Sequence, residues 1–181
     1  MSAAAFATLL AGMFLAAPCG LNPFLPALFL AASSLLGGGT DLNAGLDFIG
    51  RPWFVAIVAA MFLAHVFSDK VFLPGDSLAT PRAQRTRKQW VGVFHDLAQM
   101  LLGPLGGALL LAAVCRAFPA NLFLLAPMLG LLLAALVYVG KRALRRRYVG
   151  RLGMLGNLLL SLVEDTAVAI SCVAALILLR V

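Results

Sequence analysis

Long apolar runs dominate the chain, and polar residues fall in short bands between and inside them. Residues 3–36 are almost wholly apolar, and further apolar runs cover about 52–67, 91–114, 122–140 and 157–179. Runs of about twenty apolar residues can cross a hydrocarbon core as helices. The pattern predicts an all-α, polytopic transmembrane helical bundle of about five spans. The whole of 1–181 forms a single membrane domain, with basic loops at about 70–90 and 141–151.

The first run cannot be one regular helix. It contains Pro18-Cys19-Gly20-Leu21-Asn22-Pro23 and then Pro26, and prolines this dense break helical hydrogen bonding. As a single helix it would be about 50 Å long, against a core of about 30 Å. The segment is therefore broken or re-entrant: either two half-helices around an unwound turn, or a hairpin of two short crossings. It reads as a retained membrane segment rather than a cleaved leader, since no basic residue precedes its apolar core. Broken backbone at membrane depth needs protein or water to satisfy it, and transporters build ion sites in this way.

The last run carries the strongest functional signal. Glu164 and Asp165 sit in its middle, where acids are expensive unless they face a cavity or a partner. Asn157, Ser161, Glu164, Asp165 and Ser171 recur at helical spacing and form one polar stripe. Neighbouring carboxylates in a low dielectric repel each other unless a cation is near. A proton- or cation-handling site uses that property. A structural ion pair, for example with Lys70, uses it equally.

Other polar positions gather near the ends of spans. His65 lies one turn before Asp69 on the same helix face, and Lys70 follows. The 91–114 run opens with His95, Asp96 and Gln99, then meets Gly103-Pro104-Leu105-Gly106-Gly107. Those glycines allow close helix approach, and Pro104 kinks the helix. The 122–140 run has no ionisable residue in its core and reads as scaffold.

Composition supports the membrane reading. Hydrophobic residues make up 62% of the chain and charged residues 12%, against about 45–50% and about 25% in soluble domains. The lipid bilayer is thus one partner. The net charge of +7 is concentrated, with five basic residues in 70–88 and six in 141–151. The positive-inside rule places both clusters in the cytoplasm. It puts Asp69, Asp76, His95, Asp96 and Glu164 in the cytoplasmic half. With no soluble module to carry the charge, no nucleic acid partner is expected. The clusters instead attract anionic headgroups. Cys19, Cys115 and Cys172 share no metal-like spacing and read as small buried hydrophobes.

No nucleotide, zinc-protease or Ser-hydrolase motif appears, so neither an enzyme nor a cofactor is expected. The carboxylates, Asn22, Ser161 and free carbonyls are hard oxygen donors, suited to H⁺, Na⁺ or hard divalent ions. His65 and His95 would admit a softer metal, but no particular metal is indicated.

Five pieces carry a family resemblance: GLNPFLPALFLA (20–31), RPWFVAIVAAMFLAHVFSDK (51–70) leading into PGDS (74–77), GPLGGALLLAA (103–113) and GNLLLSLVEDTAVAI (156–170). Together they resemble the bacterial membrane family known as domain of unknown function 4126, across nearly the whole chain. By that resemblance Asn22, Asp69, Lys70, Asp76, Ser77, Asn157, Ser161, Glu164 and Asp165 match the family pattern. His65 stands where the family often has Glu, and residues 79–90 are more charged than is usual there.

Two functions are consistent with these features. One is a small inner-membrane secondary transporter or channel for a proton or small cation. Glu164, Asp165, Asn22, Ser161 and Asn157 would bind the ion, and Asp69, Lys70, Asp76, His65, His95 and Asp96 would line the cytoplasmic approach. The other is a non-catalytic accessory subunit of a larger membrane complex. The small size favours a homo-oligomer or a larger assembly in either case.

Overall fold

A computed structural model of the chain describes residues 3–37, 42–67, 87–115 and 124–180, leaving aside the side chains of 87–92, 149–155 and 157. The described residues form five helical segments and short turns, with no strand among them. The helices are α1 (Ala3–Ala16), α2 (Phe24–Leu35), α3 (Pro52–Phe67), α4 (Arg87–Val114) and α5 (Leu125–Leu178). Tight helical turns at Ala17–Gly20 and Asp47–Gly50 precede α2 and α3. Four stretches are long and apolar enough to cross a membrane: Ala3–Gly20, Val93–Val114, Leu125–Tyr148 and Leu158–Leu178. α2 and α3 are apolar but shorter.

The helical run α5 holds 54 residues, which would measure about 81 Å if straight. It is not straight. Arg145 and Glu164 are 19 residues apart, or about 28 Å along a straight axis, yet their side chains meet at 2.7 Å. The run therefore reverses, giving a first arm (Leu125–Tyr148) and a returning arm (Leu158–Leu178). Between them the sequence places Gly150, Gly153 and Gly156, residues at which helices bend readily. Residues 141–151, expected as a loop, are helical, and α4 already begins at Arg87. Lipid supplies no partner for a free backbone group, which favours continuing the helix to the bundle end.

The first segment is a hairpin. Along the returning arm, Asn22 meets Asp165 and Phe14 meets Ser171, while α2 reaches Leu176 and Arg180. α1 and α2 thus run in opposite directions along the same arm, and the Pro18–Pro23 turn forms the hairpin tip. The tip lies level with Tyr138, Lys141 and Glu164, at the end of the bundle that carries Arg145, Arg146 and Arg147 (the basic end).

α1, α4 and both arms of α5 pack into the centre, while α2 and α3 lie outside. Small residues set the spacing. A Cβ at Gly20 would overlap the Ala134 carbonyl, and one at Gly107 would come within 2.5 Å of the Gly130 carbonyl. Leu15, Leu30, Leu110, Leu111 and Val168 fill the space between, fully buried. Large apolar side chains such as Leu132, Leu136, Leu162, Val163 and Ile170 point outward, as a lipid-facing surface requires. Hydroxyls on that surface bond back to their own helix: Thr8 to the Ala4 carbonyl and Thr166 to that of Leu162, both at 2.8 Å.

Candidate functional site: an ionic network at the hairpin tip

Each arm of α5 turns one stripe inward. On the returning arm it is Ser161, Glu164, Val168, Cys172 and Ala175, at helical spacing of three or four. On the first arm it is Ala126, Gly130, Ala134, Tyr138 and Lys141. Arg145, four residues on, extends that stripe. Just beyond the 122–140 run, the last turns of this arm deliver two cations, Lys141 and Arg145, to Glu164 on the returning arm.

Glu164 is 7% exposed and Lys141 6%. Arg145 Nε donates to Glu164 Oε1 at 3.1 Å and Nη2 donates to Oε2 at 2.7 Å. This forked geometry is the strongest form of Arg–carboxylate contact. Lys141 Nζ approaches the same Oε2 at 3.4 Å. Glu164 lies six residues into the apolar arm that starts at Leu158, or about 9 Å along the helix. Bare charges there would cost several kcal/mol each (about that order in real proteins), so each must be answered by a partner.

The hairpin tip closes the network. Pro23 has no N–H, and the turn leaves backbone groups outside any helical ladder. Asn22, 1% exposed, answers two of them: its Oδ1 accepts from the Phe24 and Leu25 N–H groups at 3.1 and 3.2 Å. This is an N-terminal cap for α2. Its Nδ2 is then free to donate to Asp165 Oδ1 at 3.2 Å. The Leu21 carbonyl accepts from Lys141 Nζ at 2.6 Å. Lys141 therefore ties tip, carboxylate and α4 together, since it also donates to Gln99 Oε1 at 3.3 Å.

From Gln99 the polar chain continues outward. Its Nε2 lies 3.2 Å from His65 Nε2, and His65 stacks on His95 with centroids 4.9 Å apart. Both rings line a cleft of about 350 Å³ between the tip, α3 and α4. Tyr138 donates to the Asp96 backbone carbonyl at 3.3 Å.

Several expected residues thus converge. Asn22 meets Asp165, Glu164 joins the same tip through Lys141, Ser161 is buried on the Glu164 stripe, and His65, His95 and Asp96 lie nearby. Asp69, Lys70 and Asp76 lie outside the described residues, as does the side chain of Asn157. Lys141, Arg145 and Gln99 were not among the expected ligands. Their signal was register: Lys141 and Arg145 continue the inward spacing of Ala126, Gly130, Ala134 and Tyr138. No cluster of three metal-ligating His, Cys, Asp or Glu side chains occurs among the described residues.

Stacked apolar crossings around a buried, charge-balanced network define a multi-pass helical membrane protein. A family model described as domain of unknown function (DUF4126) matches residues 9–79 and 86–178, and the chain belongs to that family. No curated protein and no solved structure matches it.

Proposed function

We propose that the protein is a small secondary transporter or channel for a proton, with Glu164 as the carrier. The supporting observation is the set of partners around Glu164. Its two oxygens already face Arg145 and Lys141, so a metal cation would have to displace two fixed charges. A proton need not. It neutralises Glu164 and loosens both cations at once, which gives the network two states that differ by one unit of charge. Asp165 and Asn22 hold the returning arm against the hairpin tip, and Ser161 supplies a neutral hydroxyl one turn away. Basic residues 141–147 lie at the cytoplasmic face of a bacterial inner membrane, and the chain works as a homo-oligomer or inside a larger complex.

A second reading is favoured by the same forked contact. Arg145 and Glu164 could act purely as a latch closing the α5 hairpin of an accessory subunit. Flux assays in liposomes across H⁺, Na⁺ and divalent ions separate the two. The transport reading expects proton flux in wild type and at least a tenfold loss in Glu164→Gln. Absence of flux for every ion, with the protein co-purifying with other membrane chains, supports the subunit.

A further inference from the structure

Hydrogen-bond direction fixes the protonation state at the far end of the network. The Lys141 ammonium can only donate, so the Gln99 oxygen must face it. The Gln99 amide nitrogen then faces His65 Nε2 at 3.2 Å. That nitrogen also only donates, so His65 Nε2 must accept and carries no proton. In the resting network His65 is a neutral ring with its proton on Nδ1.

Protonating Nε2 sets two donors face to face. Turning the Gln99 amide relieves that clash but presents its NH2 to the Lys141 ammonium. A proton on His65 and the Lys141–Gln99 contact therefore exclude each other. When Lys141 leaves Gln99 it keeps two acceptors in reach, the Leu21 carbonyl at 2.6 Å and Glu164 Oε2 at 3.4 Å.

The surroundings make His65 reachable. It lines the cleft with Phe24, Met61, His95 and Gln99. Phe24 of α2 meets the ring edge-on with centroids 5.6 Å apart, and α2 has no titratable residue. α4 contributes His95 and Asp96. α5 contributes Lys141, with Glu164 and Arg145 behind it. The His65 and His95 rings are within 8° of parallel, so a proton on each would set like charges face to face.

We propose that His65 is a second proton-binding site, filled from the cleft, whose occupation moves Lys141 from Gln99 toward Glu164. A hydronium ion in the cleft gives its proton to the Nε2 lone pair and leaves as water. The role of this step in transport rests on the reading of Glu164 as carrier, but the coupling itself belongs to the resting protein.

Nitrogen NMR of histidine-labelled, full-length protein in lipid nanodiscs tests it, with His65→Phe assigning the signals. At neutral pH the wild-type His65 Nε2 is expected bare. In Lys141→Met the amide can turn, so Nε2–H appears and the ring protonates at about tenfold lower proton concentration, one pH unit. Lys141→Arg, which keeps charge and donors, should retain the wild-type tautomer. A protonated Nε2 in wild type, or an unchanged titration in Lys141→Met, overturns the proposal. If Lys141→Met does not fold, Gln99→Leu replaces it. Easier protonation is again expected, and an unchanged titration again overturns. No ion gradient is used, so a non-conducting protein can still show the coupling and a conducting one can lack it.

Discussion

The two ends of the bundle are held by different physics. At the end away from the basic residues, the described contacts are mostly apolar. Gly12 fits against Leu111 and Val114, Leu110 and Leu111 are fully buried, and Asn43 is a polar device. It reaches from the loop before α3 to the carbonyls of Ala112 and Cys115 and closes the end of α4. At the basic end, the same helices meet through Glu164, Arg145, Lys141, Asn22 and Asp165. A buried ion pair is a poor way to gain stability, because apolar residues of similar volume often hold a structure as well or better. Among the described residues, the apolar end joins its helices without an ion pair. The transport reading proposed above takes the ionic end to serve a purpose other than adhesion.

That contrast can be broken at graded cost. The largest effect is expected at Glu164→Ala, which leaves Arg145 and Lys141 facing each other without their carboxylate. A loss of about 3–5 kcal/mol is expected, read as thermal unfolding in detergent. Removing both charges of the fork together, as Arg145→Met with Glu164→Leu, should recover much of that loss. A double variant as unstable as the sum of its parts would mean that the ionic end is also the adhesive end.

Next comes the closest helix crossing. Gly107→Leu forces α4 away from Gly130 and should cost about 1–3 kcal/mol. It should respond little to pH, because no titrating group sits at that contact. The smallest effect is expected at Asn43→Ala, about 1 kcal/mol. It should appear as faster hydrogen exchange in the loop at Asn43, whose N–H bonds the Ala113 carbonyl, with the basic end unchanged.

Much of the fold was legible from residue type. Apolar length marks the crossings, the prolines around Asn22 mark the break, and spacing alone groups Ser161, Glu164 and Asp165 on one stripe. What could not be read were contacts across the chain. Asn22 and Asp165 lie 143 positions apart, and no local pattern links a capping amide to a distant carboxylate. The break also left one crossing and a hairpin equally open, until the contacts of Phe14 and α2 along one arm decided it. Lys141 and Arg145 were hidden for another reason. In KRALRRR, charge density suggests headgroups, and that signal outweighs register. Only the inward spacing of Ala126 through Tyr138 separates these two from Arg146 and Arg147, which face out.

The central claim is that Glu164 is polar for transport rather than for holding α5 closed. It is tested most directly by proton flux into liposomes, normalised to folded protein, for wild type and Glu164→Gln. The account predicts that the folded fraction of Glu164→Gln, whose amide oxygen keeps one of the two Arg145 contacts, loses proton flux at least tenfold. Wild-type flux in a folded Glu164→Gln protein would contradict it.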